Sequence, residues 1–227
     1  MFDSLVVVIP VRKNFKSAEK VVDEELLSLE SLVLRKIRQL RSFLPKKQVV
    51  VCTENKEFSE LAIYGGATVL MRDVGLSRAD AKISNLVKFV AQSIQSEHIA
   101  WVPYITPFFD TNDYIKSFET YFYNINISNK YDSLVSVVKE KKFLWTVNGP
   151  INYAADKNQP PSDDLPIMYS VCNGNYMAPR TIMLDRKYYL GEKVYLDIKP
   201  EYCGIDINSL KTFHEANGYQ SIVRQLM

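Results

Sequence analysis

The sequence predicts an α/β fold around a mainly parallel central sheet, and two observations carry that expectation. Leu5 to Ile9 is a β-branched run without polar alternation, the pattern of a strand covered on both faces. Further short apolar runs alternate with stretches of helical period, a rhythm that belongs to strand–helix–strand crossovers.

The elements follow in order. From Glu24 to Leu44, apolar residues at Leu26, Leu29, Leu32, Val33, Ile37, Leu40 and Leu44 recur near the helical period. Arg35, Lys36, Arg38 and Arg41 fall on the expected wet face, and Pro45 ends the helix. A strand is expected over Gln48–Cys52, a helix over Glu57–Tyr64 stopped by Gly65-Gly66, and a strand over Ala67–Met71. A helix over Ala81–Ser93, a strand over Ile99–Val102 and a helix over Asn112–Tyr123 complete the first half. Ser133–Val138 and Phe143–Val147 read as strands. The polar, proline-rich stretch Gly149–Pro166 is too long for an ordinary connection and reads as part of an arm at about 140–168. Val194–Ile198 is another strand and Ile205–Asn217 a closing helix. The expectation is one domain over 1–227 with a projecting arm.

Composition removes several classes of function. A formal charge of +2 gives no long-range field for nucleic acid or an acidic membrane surface. The apolar run near the N-terminus is too short for a signal peptide or a membrane span. Cys52, Cys172 and Cys203 are odd in number and lack CxxC spacing, as expected of reduced thiols in a cytoplasmic protein. With His98 and His214 as the only histidines, a histidine-rich metal site is disfavoured.

Ligands of open α/β sheets bind beyond the carboxyl ends of the strands. Pro10 to Val22 is such an end and carries Arg12, Lys13, Lys16 and Lys20. Cations before a helix N-terminus can hold a polyphosphate through charge and backbone N–H groups. A solvated basic loop is the alternative. The stretch has no glycine, so it is neither a Walker loop nor a GxGxxG fingerprint.

The ordered motifs add a resemblance. They are Ile9-Pro10-Val11-Arg12, Cys52-Thr53-Glu54, Gly66-Ala67 with Arg72, Ser136-Val137, Asn173-Gly174-Asn175-Tyr176 and Ile205-Asp206-Ile207-Asn208. In this order, across nearly the whole chain, they resemble the acylneuraminate/Kdo cytidylyltransferases, the CMP-sugar synthetases. The resemblance implies a three-layer, Rossmann-like nucleotide-diphospho-sugar transferase fold. It also implies Mg²⁺-dependent transfer of CMP from CTP to a sugar acid, with release of pyrophosphate, by a homodimer joined through the arm. Arg12 and Lys16 would act on the triphosphate as catalytic cations. Pro10, Thr53 and Arg72 would complete the nucleotide site, with Tyr104, Thr106, Asn173 and Tyr176 toward the sugar. Asp206 and Asn208 would face the metal.

Departures from the pattern accompany the match. Asn208 stands where the family has a second acid, and Pro103-Tyr104-Ile105-Thr106-Pro107-Phe108-Phe109 replaces a strand-end segment bearing Gln and Arg. A catalytically degenerate binding homologue, or a transferase using another nucleotide, are therefore alternatives. Asp206 could equally cap the closing helix. Thr53 and Glu54 could simply start a helix. Asn173-Gly174 is a turn dipeptide in its own right, and Tyr176, Phe108 and Phe109 could be core.

Overall fold

The computed structural model describes residues 2–12 and 29–207, with 216 and 218. Strand β1 (Leu5–Pro10) pairs in parallel with β2 (Val49–Thr53) on one side and β4 (His98–Trp101) on the other. β3 (Thr68–Met71) extends the sheet beyond β2. The full order is β3-β2-β1-β4-β8-β5-β9. Here β5 is Ser133–Glu140, β8 is Met168–Pro179 and β9 is Val194–Lys199. β8 runs antiparallel to both β4 and β5, and β9 returns parallel to β5.

Helices cover both faces. α1 (Leu29–Arg41), α2 (Lys56–Tyr64) and α4 (Thr111–Phe122) send Val33, Ile37, Leu40, Phe58, Ala62 and Phe118 into a core with Val7, Ile9, Val49 and Val51. α3 (Ile83–Ser93) and α5 (Arg180–Arg186) place Leu86, Val87, Val90 and Met183 against Val8, Val50, Ile99 and Trp101. Successive residues of β1 therefore feed opposite cores, which explains why Leu5–Ile9 has no polar alternation. Burying each such aliphatic side chain contributes roughly 1.5–3 kcal/mol. The three-layer α/β architecture read from the sequence is the observed one.

Several expectations need correction. Lys36 is not on the wet face of α1: it is buried, with 2% of its surface exposed. Phe143–Val147 is not a strand of the main sheet. Only Trp145–Thr146 (β6) is extended, and it forms a two-stranded hairpin with Gly149–Pro150 (β7). The Asn173-Gly174 pair does not reverse the chain. It lies inside β8, where Val135 opposes Tyr176 but Val137 opposes Val171. The extra residues form a bulge, with Asn173 at φ +53°. Asn55, not Thr53 or Glu54, caps α2, its Oδ1 accepting from the N–H of Phe58. The N-terminal part of the expected Glu24–Leu44 helix, and nearly all of the closing helix, lie outside the described residues.

Candidate functional site

Parallel strands β1, β2 and β4 all end on the same edge of the sheet, and a cleft of about 420 Å³ opens there. Pro10 and Arg12 enter it from the end of β1, Arg72 from beyond β3, Trp101, Pro103, Tyr104 and Ile105 from the end of β4, and Asn173 from the β8 bulge. Of the residues singled out in the sequence, Pro10, Arg12, Arg72, Tyr104 and Asn173 thus share one cavity. Thr53 does not line it. It is fully buried, and its Oγ1 accepts from the N–H of Asn55 where the chain turns into α2. Thr106 and Tyr176 are buried beneath the surface rather than on it. Lys16 and Asn208 lie outside the described residues.

The two arginines have different positions. Arg12 is exposed. Arg72 is buried, its side chain 2% exposed, and tied into a web. Its Nε donates to Glu54 Oε2 (3.0 Å) and Ser77 Oγ (2.7 Å), and its Nη2 donates to Glu54 Oε2 and the Val11 carbonyl (both 2.8 Å). The Ser77 hydroxyl also donates to Glu54. Arg72 therefore fastens the ends of β1, β2 and β3 to one another. Its guanidinium contributes positive charge to the cleft wall without the reach of a surface cation.

Sequence reasoning missed Arg78 and Lys82, which also line the cleft. They sit on the connection from β3 to α3, and their position after a strand end was the available signal. Lys82 is the N-cap of α3 and makes no side-chain cap. The helix thus presents uncapped N–H groups and its positive dipole end beside Arg78 and Lys82. This wall suits an anion.

The opposite wall is apolar and aromatic: Trp101, Pro103, Tyr104 and Ile105, with Leu86 and Ile83 at the base of α3. Tyr104 is buried, which pushes its phenol above the ordinary range against the opposing charges of Arg12 and Arg72. At the far end a relay orients Asn173. Tyr176 Oη donates to Asn173 Oδ1 (2.5 Å), and Asn173 Nδ2 donates to Asp206 Oδ2 (2.8 Å). Gly174 beside it allows the Phe109 ring to close in, since a Cβ there would lie 2.0 Å from a ring carbon. Burial pushes the Cys52 and Cys172 thiols up to about 11, so both remain protonated and unreactive.

The donor set bears on magnesium. Among the described residues no carboxylate lines the cleft directly, and no group of three or more His, Cys, Asp or Glu could hold a metal. Asp206 reaches the cleft's edge through Asn173. A single carboxylate fits Mg²⁺ as one ligand beside phosphate oxygens and water, so the residues suit a metal that arrives with a nucleotide.

No family model and no curated protein matches the chain. Solved structures do match in fold. A 4-diphosphocytidyl-2C-methyl-D-erythritol synthase from Anaerococcus prevotii aligns at TM-score 0.61 and 12% identity, over 96% of this chain and 98% of that one. A CMP:2-keto-3-deoxy-manno-octonic acid synthetase complexed with CTP aligns at 0.61 and 12%, over 99% and 100%. A bifunctional IspDF from Campylobacter jejuni aligns at 0.62 and 14%, over 92% of this chain and 54% of that protein. The chain shares the fold of these proteins along nearly its whole length.

Proposed function

We propose that the protein is a nucleotidyltransferase that activates a sugar acid with CTP, giving a CMP-sugar and pyrophosphate. The observation that carries this reading is the cleft itself. Arg12, Arg78, Lys82 and the α3 N-terminus form a cationic wall facing Trp101 and Tyr104 at the carboxyl ends of the strands. Phosphoryl transfer depends on positioning and on charge opposite the phosphates. Arg12 would stabilise negative charge as pyrophosphate leaves, with Lys16 four positions on in the sequence, while the aromatic wall excludes water. Asp206, steadied by Asn173, would give Mg²⁺ its protein ligand, and the metal would neutralise phosphate charge. Asn173 and Tyr104 would meet the sugar acid. The fold's occurrence in a synthetase complexed with CTP supports the nucleotide.

The same reading makes the protein a homodimer joined through the 140–168 arm. Trp145, Val147, Ile151 and Ile167 are exposed there, next to an open sheet face of Tyr169, Val171, Leu196 and Ile198. Val171 and Ile198 flank the buried Val137 in register on that face, and a second copy would cover their exposed side chains. Deleting Asn152 to Pro161 should convert a dimer to a monomer by sedimentation; an intact protein that sediments as a monomer removes this part. We place the protein in the cytoplasm because Cys52, Cys172 and Cys203 are free and buried. Among the described residues no helix is long and apolar enough to cross a membrane.

A second reading is a nucleotide-binding homologue without turnover. The absence of a carboxylate from the described cleft lining favours it. One experiment separates the two: incubate the protein with each nucleoside triphosphate, Mg²⁺ and a panel of sugar acids, and measure pyrophosphate. Release with CTP supports the first reading, binding without release supports the second, and release with another triphosphate reassigns the base.

A further inference from the structure

Lys36 belongs to the core side of α1 and has no part in the chemistry above. Its ammonium donates to the Thr106 carbonyl (3.1 Å) and the Tyr114 hydroxyl (2.6 Å). It also stands 4.7 Å from the Tyr114 ring centroid. One turn along the helix, Gln39 Nε2 donates to the Phe109 carbonyl (2.8 Å). α1 therefore grips the connection between β4 and α4 at two carbonyls from beneath. The upper side of that connection, Pro103 to Ile105, is cleft wall. The Ile105 carbonyl in turn accepts the N–H of Ile207 (2.8 Å), the neighbour of Asp206. A continuous chain of contacts joins the buried amine to the cleft and to its edge carboxylate.

The geometry points to Lys36 as a positioning residue: its buried amine, bonded to the Thr106 carbonyl and the Tyr114 hydroxyl, latches the 103–110 loop, and with it Asp206, in the shape a cleft ligand meets, and protonation loosens both. For its ligand the inference rests on the nucleotide reading of the cleft. Burial, with Arg35 beside it, pulls the Lys36 amine down to about 7 against Asp113, Cys203 and Asp110, which raise it. Tyr114, the other titratable group against it, is held neutral by burial. Below about 7 the amine is a cation that its dry surroundings solvate poorly, and opening the loop to water relieves that cost. Above that the neutral amine keeps two N–H donors, enough for the carbonyl and the hydroxyl.

Two measurements test the latch. The first is hydrogen exchange at the Ile207 amide in the intact protein, corrected for intrinsic rates, at about pH 6 and about pH 8.5. Protection should be higher at the higher pH in the wild type and low at both in Lys36→Met. Tyr114→Phe, which keeps the ring and removes one acceptor, should lower the midpoint. The second is the CTP dissociation constant with Mg²⁺ over the same range. It should fall by about fivefold or more toward the higher pH in the wild type relative to Lys36→Met. Equal corrected protection in the wild type at both pH values overturns the latch, whether or not the variants fold. A wild type that binds no nucleotide at any pH overturns the nucleotide reading, and exchange at Ile207 still decides the latch.

Discussion

The two walls of the cleft are built in opposite ways. The wall from β1, β2 and β3 is held by charge: Arg72 with Glu54, Ser77 and the Val11 carbonyl welds the strand ends, leaving Arg12, Arg78 and Lys82 exposed at the surface. The wall from β4 and β8 is held by packing and neutral hydrogen bonds: Phe109 on Gly174, Tyr176 on Asn173, and the α1 side chains on loop carbonyls. The comparison teaches that net charge at a surface is a poor guide to what a charged residue does. Arg12 and Arg72 share one cavity, yet one is available to a ligand and the other fastens the scaffold.

The largest effect should come from breaking the weld. Arg72→Ala removes the buried cation shared by Glu54, Ser77 and the Val11 carbonyl, and breaking such a pair costs about 3–5 kcal/mol. Urea unfolding should show the loss, and a change under about 1 kcal/mol would mean that the weld does not hold this wall. The second concerns pH. Lys36 titrates near 7 in the fold but near 10.4 unfolded, so the unfolded chain binds the extra proton between those values. Stability should therefore rise with pH across that window, by at most about 1.4 kcal/mol per unit, and Lys36→Met should flatten the slope. Protonation would thus cost the fold and the loop alike.

The third prediction sharpens the packed wall. Gly174→Ala must displace the Phe109 ring and should cost about 1–3 kcal/mol. Adding Phe109→Ala should recover part of that loss in a double-mutant cycle, and strict additivity would argue against the contact. The smallest effect on the fold belongs to Arg12→Ala. It should weaken CTP binding about tenfold or more while moving stability by less than about 0.5 kcal/mol. An unchanged CTP titration would return the Arg12 loop to plain solvent.

Reading the chain from sequence worked where one period dominated. β1 and β2 are short β-branched runs, β4 is a short apolar one, and α1 to α4 carry clear helical stripes, so they were recognisable within a few residues. β8 was missed because Asn173-Gly174 interrupts its middle and reads locally as a turn. Only pairing on both edges, with β4 and β5, makes it a strand. Lys36 was misplaced because a lysine was counted as polar. Its position three after Val33 and four before Leu40 puts it on the apolar face, and that spacing was the available signal. The burial of Arg72 could not be read at all, since its partner Glu54 lies on a different strand end.

The place of β8 in the sheet also has a consequence for synthesis on the ribosome. The first four strands can assemble as soon as residue 101 has emerged, but β4 then presents a bare edge. Its partner β8 is about seventy residues further on, beyond the arm, and β5 must wait for the same strand. Pairings that distant in sequence form slowly, and open strand edges recruit other chains while they wait. Growing chains of this protein should therefore depend most on chaperones between the completion of β4 and the arrival of β8.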